Sequence, residues 1–529
     1  MGCRGVGQVL RDFSGWTSAH GLPHIGSAEN PILQWFWTIV TLTSLSIFSY
    51  QMYGVTNKYF SYGKTMQTEL KFEERVFPGV TICHNNPFKN DELSNDTSAV
   101  KISDLQAVFD SIKKGSPSAD IAEWGFDKDK KDGKFVMGDV YSRTMKWNGM
   151  IISNLAEKDF SAMAYSNDDL IMNCKYNTET CNQADTILYK DPYYGYCYQF
   201  NSNGTYSSTR AGPLYGLRML IRSNQKQYLS YIRGGAIRVT VHGQNETAFP
   251  DAFGYNAAPG FSTAFGIKYV ETKRLAAPYG TCSETIPTHY YYTDKSDYSL
   301  EACYRSCLQD KIISKCKCYD PMYAIPSAVT VKSCANGTKA EIGTNIACIE
   351  ELMGLGSGAS LYNVIKECTN CPQSCADQSY SVTISTARWP ADVYKPIECK
   401  DAVLTAKYWG TEANCLPWYK SNTLFVEVYY ERMNYQVFSE NEDYSVVSLV
   451  SDTGSQLGLW LGVSFITVVE FCSLLGLLCL FCMARSKPRT DLDGDDDDMP
   501  RPSSESSDND DDPYDLDDCN LTPPPVMSP

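Results

Sequence analysis

Histidine is scarce, with five in 529 residues. Its imidazole is the one ordinary side chain that titrates between about pH 5 and 8, and it is a frequent metal ligand. The shortage leaves few groups for histidine-driven proton sensing, zinc binding or general-base chemistry. No Ser/His/Asp or metal-ligating constellation stands out either, so neither enzymatic activity nor a cofactor is expected. No basic patch argues for nucleic acid. The formal charge is −16, but residues 490–529 alone carry fourteen acids and one arginine, a net of −13, which leaves −3 for the rest. The acidity therefore belongs to a tail of Asp, Ser and Pro with too little apolar surface to offset ordering entropy, and this tail is expected to be disordered.

Long uncharged runs are also few, and the two that exist are informative. Asn30 to Asn57 contains no charged residue, and Thr453 to Met483 is interrupted only by Glu470. At about 1.5 Å per residue each can cross a hydrocarbon layer of about 30 Å. Trp35, Trp37, Tyr50 and Tyr53 flank the first run as interfacial aromatics do. No separate apolar stretch precedes it, so the first span is expected to be its own insertion signal. Arg485, Lys487 and Arg489 follow the second run, and by the positive-inside rule both termini are expected in the cytoplasm. Met1-Gly2-Cys3 hints at lipidation, but Val6 breaks the myristoylation pattern.

Cysteine, by contrast, is plentiful and unevenly placed. Sixteen of 21 lie between Cys83 and Cys415, leaving Cys3, Cys472, Cys479, Cys482 and Cys519 outside. A dense, even block reads as a disulfide framework in an oxidising compartment. Sequons at Asn95, Asn203, Asn245 and Asn336 fall in the same block, which supports a glycosylated, extracellular location. The segmentation is thus 1–30 cytoplasmic, 31–55 first span, 56–452 extracellular, 453–484 second span and 485–529 acidic tail.

Within the extracellular block, Leu424 to Glu431 alternates acids with apolar residues and reads as a half-buried strand, and Ala236 to Val241 is β-branched in the same way. Leu105, Val108, Phe109 and Ile112 recur at helical spacing, with Asp104 as candidate N-cap and Gly115 past the end. Ser299 is placed to cap a helix bearing Cys303 and Cys307, and Ser360 to cap one leading to Cys368 and Cys371. Antiparallel packing of the two would pair Cys303 with Cys371 and Cys307 with Cys368, although sequence alone leaves the connectivity open. Zinc at Cys316-x-Cys318 and Cys368-x2-Cys371 is the rival reading.

Phe77-Pro-Gly-Val-Thr-Ile-Cys83-His-Asn-Asn-Pro87-Phe, Gly195-Tyr-Cys197-Tyr-Gln-Phe-Asn201, Pro278-Tyr-Gly-Thr-Cys282, Cys368-x2-Cys371-Pro-x2-Cys375 with Trp389-Pro390, and Gly458-Leu-Trp-Leu-Gly462-Val-Ser464-x2-Thr467-x2-Glu470 resemble, in order, motifs of the epithelial sodium channel, degenerin and acid-sensing channel superfamily. The resemblance runs from His20 to Glu470. It implies an α+β membrane protein with two transmembrane helices and a large disulfide-rich ectodomain of palm, β-ball, knuckle, finger and thumb, assembled as a homotrimer. It implies disulfides Cys83–Cys197, Cys174–Cys181, Cys282–Cys375, Cys303–Cys371, Cys307–Cys368, Cys316–Cys348 and Cys318–Cys334. Cys399 and Cys415 remain, and an eighth bridge is expected between them.

The resemblance also assigns a pore. Gly462, Val463 and Ser464 match the selectivity filter for permeant Na+. A glycine there permits an irregular backbone that turns carbonyls towards a cation, which is tolerated at membrane depth only where it lines a pore or is buried. A helix contact through Gly458-x3-Gly462 is the alternative. His20-Gly21 matches a re-entrant loop beneath the filter. Ser451 and Asp452 match the outer gate, where a ring of carboxylates would attract cations. Glu470 is expected in the lower, hydrated pore, because a charge facing lipid is costly. Tyr59 and Tyr279 are expected to couple the ectodomain to the first span.

The aromatic Lys58-to-Tyr62 segment and the tyrosine-rich ectodomain look most similar to invertebrate FMRFamide-gated members. This implies an amiloride-sensitive plasma-membrane channel opened by a short amidated peptide bound in the finger, residues 100–190. Proton or mechanical gating is the alternative within the family, and an ATP-gated trimeric receptor is the distant one. The membrane lipid is the remaining partner.

Overall fold

Strand-forming segments rich in Val, Ile, Phe and Tyr build two sheets that share one core. The computed structural model describes residues 2–115, 121–127, 133–181, 185–294, 297–354 and 365–485, without the side chains of 2–8 and 480–485. Residues 486–529, with the expected disordered tail, and the Ser360 cap lie outside the described residues. The chain forms two compact units, residues 52–453 and residues 1–51 with 454 onward.

In the larger unit an eight-stranded sheet runs Lys64–Phe72, Asn434–Glu442, Phe261–Lys273, Thr423–Tyr430, Leu217–Arg222, Ile171–Tyr176 and Glu179–Thr180, with Ala376–Arg388 also paired to Phe261–Lys273. A five-stranded sheet runs Tyr255–Ala257, Ile237–His242, Gly79–His84, Gly195–Phe200 and Thr186–Asp191. Thr423–Tyr430 covers the alternating stretch read from sequence except Glu431, and from Leu424 onward every second residue is buried. Ile82, Phe200 and Val239 of one sheet and Met219, Phe265 and Val426 of the other belong to one buried cluster, each worth about 1.5–3 kcal/mol of hydrophobic transfer when fully buried.

A second core is helical. Helix Ile102–Lys113 buries Leu105, Val108, Phe109 and Ile112 against Trp147 of helix Met137–Asn154 and Ile342, Ile346 and Ile349 of helix Lys339–Leu352. Asp104 does not cap the first of these; Lys101 is the boundary residue, and Asp104 lies in the first turn. The Asp96 carboxylate accepts from the Ile102 N–H at 3.1 Å instead, so a residue six positions upstream supplies the missing acceptor. Ser299 does stand at the cap of helix Leu300–Cys316, but its side chain makes no capping hydrogen bond.

Eight disulfides cross-link this unit: Cys83–Cys197, Cys174–Cys181, Cys282–Cys375, Cys303–Cys371, Cys307–Cys368, Cys316–Cys348, Cys318–Cys334 and Cys399–Cys415. Cys316, Cys318, Cys368 and Cys371 are all consumed in them, which removes the zinc reading, since a metal ligand must be a free thiolate.

In the smaller unit, helix Gly2–Trp16 leads through residues 17–21 to a short helix Leu22–Gly26. Helix Pro31–Phe60 is long and apolar enough to cross a membrane. Helices Val446–Leu461 and Phe465–Cys479 meet such a criterion together, with a bend of 76° at the break between them.

Candidate pore site

The break falls at Gly462-Val463-Ser464. Gly462 has φ of 63°, a left-handed conformation that costs a residue with a Cβ about 1–2 kcal/mol. Its N–H still reaches the Gly458 carbonyl at 3.1 Å, and the Val463 N–H reaches Leu457 at 3.2 Å, so the first helix ends here. The next helix starts from Ser464, whose hydroxyl accepts from the Thr467 N–H at 3.4 Å and whose carbonyl accepts from Val468 at 3.1 Å. Between these two systems the Gly462 and Val463 carbonyls accept no backbone hydrogen bond among the described residues. They are polar oxygens available to another ligand.

The N-terminal segment packs beneath this break. The His20 N–H donates to the Leu461 carbonyl at 3.1 Å. A Cβ on Gly462 would lie 2.2 Å from the His20 ring, so Gly462 is required by close approach as well as by φ. Gly458 has open space where its Cβ would be, and so makes no close helix contact within the described chain. Gly21, at φ of 90°, is pressed against Thr41 of the long apolar helix, where an added Cβ would meet Oγ1 at 2.4 Å. His24 stacks on Trp37 of the same helix at 4.3 Å.

Glu470 faces this N-terminal segment. Its carboxylate accepts from the Ser18 N–H at 2.8 Å, the Thr17 hydroxyl at 3.0 Å and the Ser18 hydroxyl at 3.2 Å. Ser18 also shares a 2.6 Å hydrogen bond with the buried Thr467 hydroxyl. Phe13 packs on Phe471 at 5.2 Å between ring centres. Thr17, Ser18 and helix Gly2–Trp16 were missed as site elements, although Val6, Val9, Leu10 and Phe13 carry a helical spacing that could have announced the helix.

At the other end of helix Val446–Leu461, Ser451 and Asp452 are exposed, and the Asp452 carboxylate accepts from the Tyr444 hydroxyl. That bond raises the Tyr444 pKa to about 12. The aromatic contact expected between Tyr59 and Tyr279 takes a different form. Tyr62 makes it, edge-on at 5.4 Å, and Tyr59 packs behind Tyr62 at 6.4 Å. The reason is that the helix ends at Phe60, and Tyr62, at φ of 49° in the turn that follows, is the residue carried towards Tyr279. Tyr279 also donates to Glu442 at 2.9 Å.

Two buried titratable groups in the ectodomain are shifted by burial. Burial pushes His84 down to about 4, with its ring stacked on Tyr165 at 4.1 Å, so it stays neutral at physiological pH. Asp191 moves the other way. It is 3% exposed, and burial pushes it up to about 6 although the Tyr193 and Tyr194 N–H groups donate to it at 2.8 and 2.9 Å. Sequence reading did not find Asp191, because nothing local announces that an Asp-Pro turn will be enclosed. The four sequon asparagines Asn95, Asn203, Asn245 and Asn336 are exposed.

Comparison with known proteins places these features in one family. The family model described as amiloride-sensitive sodium channel matches residues 13–474. The degenerin-like protein asic-2 of Caenorhabditis elegans is 29% identical over 493 residues, covering 90% of this chain and 88% of its own. Degenerin deg-1 of the same organism is 36% identical over 63% of this chain, and degenerin unc-8 is 34% identical over 65%. The chain spans less than half of those two longer relatives, 42% and 43% of their lengths. With a family match from Phe13 to Leu474 that takes in the filter-like break, the segment packed beneath it and the cross-linked ectodomain, the chain belongs to the amiloride-sensitive sodium channel family.

Proposed function

We propose that the chain is one subunit of a homotrimeric, sodium-selective, amiloride-sensitive channel of the plasma membrane. Pro31–Phe60 and the broken pair Val446–Leu461 and Phe465–Arg485 would be its two spans, with both termini cytoplasmic. The observation that carries the reading is the pair of unbonded carbonyls at Gly462 and Val463, held open by a positive-φ glycine with His20 packed against it. A cation leaving water needs such oxygens, and a helix that stayed continuous would consume them. Three copies around an axis would supply a ring, with Glu470 anchoring the segment beneath.

The stimulus we assign is an extracellular FMRFamide-like amidated peptide acting on the finger, residues 100–190. The aromatic character of the ectodomain supports it, because a peptide bearing Phe and Arg is recognised by aromatic rings. Proton gating is the second reading. It is favoured by Asp191, which titrates near pH 6 while facing Asp251 and Arg305.

Voltage-clamp recording of the chain expressed alone tests both. A peptide-evoked, amiloride-blocked sodium current is the expected result. A current evoked by acid and lost in Asp191→Asn would favour the second reading, and silence at confirmed surface density would overturn the homotrimer.

A further inference from the structure

The ectodomain holds a half-open cavity of about 240 Å³ between residues 98–100, helix Met137–Asn154 and the start of helix Lys339–Leu352. None of its lining residues is charged, although a fifth of the chain is. A charged ligand would be left without a counter-ion there, so the occupant is neutral. Trp147, Met150 and Ile151 supply apolar wall, and Ser98, Asn154 and Asn336 supply polar groups. Apolar faces together with neutral hydrogen-bonding edges suit a sugar ring.

Asn336 is both a lining residue and the acceptor of the sequon Asn336-Gly337-Thr338. The local fold fixes where it points. Its N–H closes a turn onto the Ser333 carbonyl at 3.1 Å, just after the Cys318–Cys334 disulfide. Gly337 takes φ of 136°, and a Cβ there would meet the Glu341 carboxylate at 2.5 Å. Thr338 then caps the helix in a reciprocal box with Glu341. The Asn336 side chain is exposed and makes no hydrogen bond among the described residues. In contrast, the Asn95 amide donates to Glu92 at 2.8 Å and Asn203 accepts from the Thr205 N–H at 3.3 Å.

We propose that Asn336 carries an N-linked glycan whose first sugar residue folds back into this cavity and joins the helical finger to the loop at Cys334. The inference rests on residues 56–452 being extracellular. In the attachment step, the Asn336 side-chain nitrogen bonds to the anomeric carbon of a lipid-diphosphate-linked oligosaccharide. It loses one amide proton as the carbon–oxygen bond to the diphosphate breaks. Transfer takes place on the unfolded chain, so the sugar is present when the cavity forms around it.

The test is peptide N-glycosidase digestion of the full-length protein, native and denatured, in heavy-oxygen water. The mass of each sequon peptide then reports both occupancy and release. Asn336 is expected to be occupied, and in the native protein its glycan should be released about tenfold more slowly than the other occupied sites, since the sugar must first leave the cavity. Ala99→Trp, at an exposed lining position, fills the mouth. In surface-expressed protein this variant should bring the Asn336 rate up to that of the other sites. Unmodified Asn336 beside modified neighbours overturns the proposal alone, as does equal native release at all occupied sites. No modification at any of the four sequons overturns the extracellular placement with it.

Discussion

The two units hold themselves together by opposite means. The ectodomain buries its apolar side chains in two large clusters and closes eight disulfides around them. The membrane-type unit has no buried residue along its part of helix Pro31–Phe60. Its intrachain order comes from a few directional contacts, namely Thr17 and Ser18 on Glu470, His20 on Leu461, and Trp460 on Gln51 at 2.7 Å. Covalent links and burial make a stiff unit. A unit held by single hydrogen bonds in an apolar medium is adjustable and depends on each of them.

That contrast can be broken most severely in the ectodomain. Replacing both Cys83 and Cys197 by serine removes a bridge spanning 114 residues, worth about 4–5 kcal/mol by the chain-entropy account. Surface biotinylation should show most of the protein retained inside the cell. Next is Gly462→Val, which adds positive-φ strain and a collision with His20, about 2–4 kcal/mol together. Here the surface density should stay normal while the current disappears. Normal current would mean the break does not form the filter. Glu470→Ala deprives Thr17 and Ser18 of their acceptor. The Na+ to K+ permeability ratio read from reversal potentials should fall, with Glu470→Gln intermediate because one oxygen still accepts.

The smallest effect concerns acid and the buried Asp191. Its folded pKa, about 6, lies above the ordinary 3.8. The folded state therefore binds the proton first, and this group favours folding more as pH falls through 6 towards 3.8. Between pH 7 and 5 the gain is about 1 kcal/mol. Asp191→Asn should flatten that part of the pH dependence in thermal melts of the full-length protein. An unchanged profile would show that Asp191 does not set it.

Reading the sequence worked where the signal is local. The two long apolar runs, with Glu470 as their one charge, stand out because charges are costly at membrane depth. The strand Thr423–Tyr430 and the helix around Leu105 and Phe109 stand out because one face of each must be apolar. Cys303 and Cys307 lie one helical turn apart, so a ladder onto Cys371 and Cys368 is the simplest pairing that the sequence offers. The cap of that Leu105 helix was misread because Asp96 returns to it from outside the helix.

What tertiary structure alone decided involves partners far apart in sequence or a sum of many surroundings. Glu470 and Ser18 are separated by 452 positions, and no periodicity encodes a hydrogen bond across that distance. Tyr62 rather than Tyr59 meets Tyr279 because a helix ends two residues earlier than Tyr62, and a one-residue change in that end would rotate the ring away. The proton affinity of Asp191 follows from burial, and burial is a property of the packed whole. The sequence determined the two long apolar runs, the strand and helix faces and a nested cysteine ladder by itself, because hydrophobic pattern and spacing are carried by neighbouring residues. The unbonded carbonyls at Gly462 and Val463, the Glu470 anchor and the cavity beside Asn336 were decided only when distant segments packed.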